Sequence, residues 1–213
     1  MLSKLPICGK VIMPLTFILT LFGCRHREQT GHPLQALTTD TFLSKWLVTF
    51  HGLSTSTFRK EQIVPFEKLL YRSPFGLDEF LSIYKPALTY SRDSSMFIDI
   101  YSYELGLYRE GDSIIYNGSE AEQAITLFGK NGDGKRILFL GYSMRIDEVS
   151  WTSDSSFILV GVDMSSNDSL EPIIYLGDIP RQQFQTFRSE VSYPRNKNGY
   201  ESPKLGRLNI VIK

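Results

Sequence analysis

The run EVSWTSDSSFILVGVDM, residues 148–164, reads as two β-strands joined at a tight turn. Val149 and Trp151 lead in, the polar stretch Thr152 to Ser156 supplies turn residues, and Phe157 to Val162 lead out. The same alternation continues on both sides. From Thr89 onward, short β-branched and aromatic runs are separated by turn residues: MFIDIYSY (96–103), LGLYR (105–109), DSIIYN (112–117), AITLFG (124–129), RILFLGYS (136–143), PIIYLGDI (172–179) and RLNIVIK (207–213). This pattern predicts an antiparallel meander or a sandwich-like sheet over residues 87–213. The segment FGKNGDGKR (128–136) carries Asn-Gly and Asp-Gly pairs, which suit turns that need positive φ. Read as a calcium loop, it would put Gly129 at the first ligand position and Leu140 at the twelfth, where carboxylates belong, so the hairpin reading stands and no metal site is expected.

Upstream of the β body the periodicity changes. In TTDTFLSKWLVTFHG (38–52) the apolar residues Phe42, Leu43, Trp46, Leu47 and Phe50 recur at helical steps, with Thr39 or Asp40 available as N-cap and Gly52 as stop. Weaker helical patterns run over Glu61–Tyr71, despite Pro65, and over Leu77–Tyr84. The expected domain therefore spans residues 37–213, a helical front (37–86) followed by the β body. The fold class is mainly β with N-terminal helices.

The amino end has another character. Val11 to Phe22 is an apolar run broken by Pro14 and two threonines, preceded by Lys4 and Lys10 with no acidic residue, which is the layout of a signal peptide. As a helix it would reach roughly 18 Å, short of the roughly 30 Å of a bilayer core. The run ends in ILTLFGCRHRE (18–28), where Leu21-Phe22-Gly23-Cys24 resembles a bacterial lipobox; Phe22 is bulkier than the usual occupant of its position. The resemblance implies cleavage between Gly23 and Cys24, acylation of Cys24, and a membrane-anchored chain in which residues 24–36 form a tether. Each buried methylene of an acyl chain contributes about 0.8 kcal/mol, so two or more chains hold firmly. No acidic run follows Cys24, so the resemblance implies the periplasmic side of an outer membrane rather than surface export.

Two segments look alike: SRDSSMFIDI (91–100) and TSDSSFILVG (152–161), each an Asp-Ser-Ser turn feeding an apolar strand. They resemble turns of β-propeller blades, which makes a partial propeller the alternative fold, although two copies about 60 residues apart do not close a ring. Together with YSRDSSMFIDIYSYEL and PIIYLGDI, the ordered set is similar to an uncharacterised group of Bacteroidota lipoproteins. That resemblance implies location and fold, and no activity.

Composition restricts the chemistry. With residues 1–23 removed, 21 basic residues face 23 acidic ones, and no basic field for nucleic acid is visible. Cys8 leaves with the signal and Cys24 becomes a thioether, so the mature domain has no thiol chemistry. His51 is the last histidine, which disfavours catalytic triads and His-rich metal centres. No cofactor is implied. Carboxylate chemistry remains open. Strand alternation in MFIDIYSYE would place Phe97, Asp99, Tyr101 and Tyr103 on one face, an aromatic and acidic surface suited to sugars, and Asp147, Glu148 and Trp151 raise the same possibility. Asp112-Ser113-Ile114 and Asp168-Ser169-Leu170 resemble the Bacteroidota O-glycosylation site, which marks Ser113 and Ser169 as candidate acceptors. Three functions fit: a lipid-anchored envelope module that binds glycan or protein, a carboxylate-dependent glycan hydrolase, or an immunity protein with a concave acidic face. Replacing Cys24 with Ala should leave an unprocessed precursor and abolish incorporation of labelled fatty acid; unchanged labelling would remove the anchor from the account.

Overall fold

The computed structural model describes residues 34–71, 76–166, 168–195 and 199–212. The expected signal peptide, Gly23, Cys24 and most of the tether lie outside the described residues. Leu34 is already buried among core side chains, so the packed domain begins three residues before the expected boundary.

Two short helices come first, α1 (Ala36–Thr39) and α2 (Thr41–Thr49). Asp40 caps α2 as its composition requires, its carboxylate accepting from the backbone N–H groups of Phe42 and Leu43 at 2.9 and 3.0 Å. Gly52, in the left-handed region at φ 81°, lies just past the helix end. The expected helix at Glu61–Tyr71 is instead two strands, β1 (Phe58–Pro65) and β2 (Leu69–Tyr71). They are edge strands of two different sheets and mostly exposed, with charged residues Arg59, Lys60 and Glu61 in β1, so no period-two burial signal is written into the sequence. Pro65 ends β1, a position where its missing N–H costs nothing. The helix α3 (Leu77–Tyr84) follows as expected.

The remaining strands are β3 (Thr89–Tyr90), β4 (Met96–Asp99), β5 (Leu105–Glu110), β6 (Ser113–Ser119), β7 (Gln123–Gly129), β8 (Gly134–Leu140), β9 (Met144–Ser153), β10 (Ser156–Asp163), β11 (Ser169–Asp178), β12 (Gln183–Ser189), β13 (Tyr193–Pro194) and β14 (Ile210–Ile212). The largest sheet has the order β1-β12-β11-β10-β9, with β13 pairing the start of β11. A second has the order β2-β8-β7-β4-β3, and a small third sheet the order β14-β6-β5. Every pairing is antiparallel except β14 with β6. The Asp-Ser-Ser turns join β3 to β4 and β9 to β10, hairpins in different sheets, and the arrangement is sandwich-like rather than a set of propeller blades. The Asn-Gly segment makes the β7–β8 hairpin.

Strand β10 is buried along nearly its whole length. Residues Phe157 to Asp163 of β10 are all buried, because both faces of the large sheet are covered. Phe157 and Leu159 join a cluster that takes Tyr175 and Phe184 from the same sheet and Ile98, Ile125 and Phe128 from the second sheet. Ile158, Val160 and Val162 face the other way, into a cluster with Leu37, Leu43, Trp46 and Phe50 of the amino-terminal segment. The amphipathic face of α2 therefore covers the sheet, as its spacing predicts.

One irregularity positions the site. Between β9 and β10 the register passes from Val160 opposite Glu148 to Gly161 opposite Ile146, leaving Asp147 as the extra residue of a β-bulge. Gly161 permits it, since a Cβ there would lie 2.0 Å from the Arg145 carbonyl oxygen. The bulge places neighbouring Asp147 and Glu148 on one side of β9, toward α2 and the carboxyl-terminal segment. Ile146 and Val149 face the sandwich core.

Candidate functional site

Asp147, Glu148 and Ser150 turn polar side chains into the layer where α2 packs. Each finds a partner there. The Ser150 hydroxyl donates to the second oxygen of the capping residue Asp40 at 2.6 Å, and the Trp46 indole N–H donates to Asp147 at 3.0 Å. The other oxygen of Asp147 accepts from Nε of Arg145 at 2.7 Å. Burial pushes the Asp147 carboxyl up, while the Arg145 charge and the indole and guanidinium hydrogen bonds oppose that rise.

Glu148 has no exposed surface, and four donors converge on its carboxylate. One oxygen accepts from the Lys204 ammonium and from the Val149 N–H; the other accepts from the hydroxyls of Tyr200 at 3.1 Å and Ser202 at 2.8 Å. Lys204 completes its own set with the Thr89 hydroxyl at 2.7 Å and the Val149 carbonyl at 2.8 Å, and its ammonium lies 4.7 Å from the centre of the Phe42 ring. Burial lowers the Lys204 pKa against the pull of Glu148. A segment that runs from Tyr200 through Ser202 into a turn at Pro203 and Lys204 is thus fastened to β9 by one carboxylate, and Leu208, buried beyond it, holds the end.

That strap forms one wall of a cleft of about 450 Å³. Tyr200, Glu201, Pro203 and Gly206 line it from the strap, Arg145, Ile146 and Asp147 from β9, and Tyr101, Glu104 and Leu105 from the turn entering β5. The Tyr101 hydroxyl donates to the Asp147 carbonyl at 3.4 Å, and burial raises its pKa. Burial also raises the Glu104 carboxyl, with Asp147 adding to the rise and Arg145 opposing it. Gln123 fixes the floor: its side-chain amide donates to the carbonyls of Ile100 and Ile146 at 2.9 and 3.0 Å and accepts from the Ile146 N–H at 2.7 Å.

The candidate residues of MFIDIYSYE do not share a face. Strand β4 stops at Asp99, whose carboxylate accepts from the N–H groups of Tyr101 and Ser102, both at 3.0 Å, and from the Ser102 hydroxyl. This side chain to backbone closure ends the alternation. Asp99 is a buried turn residue, its carboxyl pushed up by burial, and Tyr101 is buried with its hydroxyl at the cleft. Tyr103 lies exposed against Phe139, with ring centres 5.6 Å apart. Of the second group, Asp147 lines the cleft and Glu148 stands behind it, whereas Trp151 packs on Phe157 and donates to the Thr89 carbonyl at 2.9 Å. Ser113 is exposed at the β5–β6 turn, and Ser169 is half-buried beside Pro194. Glu104, Arg145 and the strap residues carried one sequence signal, the donor side chains at alternate positions 200, 202 and 204.

Neither a family model, nor a curated protein, nor a solved structure matches the chain. Its reading rests on the geometry above.

Breaking the Glu148–Lys204 pair from one side leaves an uncompensated buried charge or donor set, which typically costs about 3–5 kcal/mol. Glu148→Gln and Lys204→Met should each lose stability on that scale in urea denaturation. The double variant Glu148→Gln with Lys204→Met should lose less than the two single losses added together.

Proposed function

We propose that the chain is a lipid-anchored binding module of the cell envelope, held by Cys24 on the periplasmic side of the outer membrane, which takes a glycan or protein ligand in the cleft under the strap. The observation that carries this reading is the engagement of the buried carboxylates. Glycoside hydrolysis by two carboxyl groups needs one free to give a proton and another free to attack or to activate water. Both oxygens of Asp147 and both of Glu148 are held by structural donors, and those bonds fix the walls of the cleft. Two further acids line the opening, Glu104 with a single long contact, to the Gln123 amide at 3.5 Å, and Glu201 exposed on the strap. Such a site is arranged to hold a ligand. The anchor and location rest on the lipobox resemblance, and among the described residues no helix is long and apolar enough to cross a membrane.

Gly206 offers a direct test, because it lines the cleft, its φ is ordinary, and a Cβ built there meets no atom within 4 Å. Gly206→Leu should narrow the cleft without strain. The full chain in detergent micelles should be retained on peptidoglycan sacculi or purified envelope polysaccharide, and Gly206→Leu should lose that retention at an unchanged melting temperature. Equal retention by both proteins would refute the cleft as the binding site. Release of reducing ends by the wild type, abolished in Glu104→Gln, would favour the hydrolase instead.

A further inference from the structure

We infer that the cleft selects an organic cation, a small ligand bearing a primary ammonium group. The inference rests on the cleft being the binding site and names the chemistry it would take. Its first support is the balance of charge along the walls. Among the described residues, Glu104, Asp147 and Glu201 line the cleft with one cation, Arg145. The Arg145 guanidinium is joined to Asp147 at 2.7 Å, and Lys204 behind the wall is joined to Glu148. Glu104 has Arg145 as its opposite charge among the lining residues and shares it with Asp147, and Glu201 forms no ion pair among the described residues. Opposite unit charges about 4 Å apart attract by about 4 kcal/mol at a surface dielectric of about 20, so these two groups favour a cation and disfavour an anion.

The second support is independent of charge. The hydroxyl donors at the cleft are already in use, while acceptor oxygens remain open. The Tyr101 hydroxyl gives its proton to the Asp147 carbonyl, and the Tyr200 and Ser202 hydroxyls give theirs to Glu148. A hydroxyl whose proton is committed still has lone pairs to offer. Tyr101, Tyr200, Glu104 and Glu201 therefore present oxygen acceptors, which an ammonium with three N–H donors satisfies. The Nη groups of Arg145 remain as a donor edge, which suits a neighbouring hydroxyl or carbonyl oxygen on the same ligand. A volume of about 450 Å³ accommodates a monosaccharide or a short diamine.

Proton linkage gives the inference a distinctive signature. The groups around Glu104 are Tyr101 in its own turn, Gln123 of β7, Arg145 and Asp147 of β9, and Tyr200 and Glu201 of the strap. Burial raises the Glu104 pKa in the free protein, and an incoming cation draws it back down. Binding then releases a proton in the acid range, so affinity falls as pH falls through the raised value and levels off above it.

The test uses the full chain in detergent micelles and saturation-transfer difference NMR with four probes. Glucosamine and cadaverine are the cationic probes, glucose the neutral one and glucuronate the anionic one. Saturable binding of the cationic probes, weakened about tenfold by Glu104→Gln through loss of a charge-assisted contact, is expected. Cadaverine stays protonated throughout, and its affinity should fall as the pH is lowered into the acid range in the wild type and fall less in Glu104→Gln. Glucosamine binding better than cadaverine would assign the ammonium to a sugar, and the reverse would assign it to a flexible amine. Binding of glucose or glucuronate alone, indifferent to Glu104→Gln, would overturn the ligand class and leave the cleft as a site. No saturable signal from any probe would overturn both.

Discussion

A carboxylate with no exposed surface and four donors around it, that of Glu148, is the constraint on which this molecule's site depends. An ionised carboxylate taken out of water is costly unless paired and fully hydrogen-bonded. The chain meets that requirement by bringing Lys204, Ser202 and Tyr200 from more than 50 residues downstream, since the only donor supplied locally is the Val149 N–H. Satisfying one charge thus fixes the path of the carboxyl-terminal strap. The cleft exists because the strap is held in that path.

The charge can sit there because of a backbone irregularity. A regular strand would alternate Asp147 and Glu148 between the two faces of the large sheet and send one of them into the sandwich core. The bulge opposite Gly161 puts both on the side where Trp46, Asp40 and the strap can answer them. Edge strand β9 consequently does three things: it closes the sandwich through Ile146 and Val149, it seats α2 through Asp147 and Ser150, and it anchors the strap through Glu148. Charged residues that point inward from an edge also discourage pairing with a further strand.

The parts legible in the sequence were those dominated by local periodicity and turn chemistry. The helix over Thr41–Thr49 announces itself by its apolar spacing and by Asp40, and the hairpins by Asp-Ser-Ser and Asn-Gly. Segment 58–71 was not legible, because its strands are defined by pairing with β12 and β8, far away in the chain, and carry little buried surface of their own. The candidate face of MFIDIYSYE failed for a local reason, an aspartate that closes a turn on its own backbone and ends the alternation. The acidic pair in DEVSW was visible as a pair. That its two carboxylates share a side, and that the strap answers one of them, depends on a register shift that pattern does not encode.

The measurement that bears most directly on this account is native-state hydrogen exchange, read by mass spectrometry, on the wild type and Glu148→Gln. The strap amides of Leu205 and Arg207, which donate to the Ser202 and Lys204 carbonyls, are the reporters, with the β10 and β11 amides as the reference. If Glu148 fastens the strap, residues 199–208 lose protection in the variant while the centre of the large sheet keeps it. Unchanged protection over the strap, or a uniform loss across the whole domain, would contradict the claim that one buried carboxylate builds the wall of the cleft.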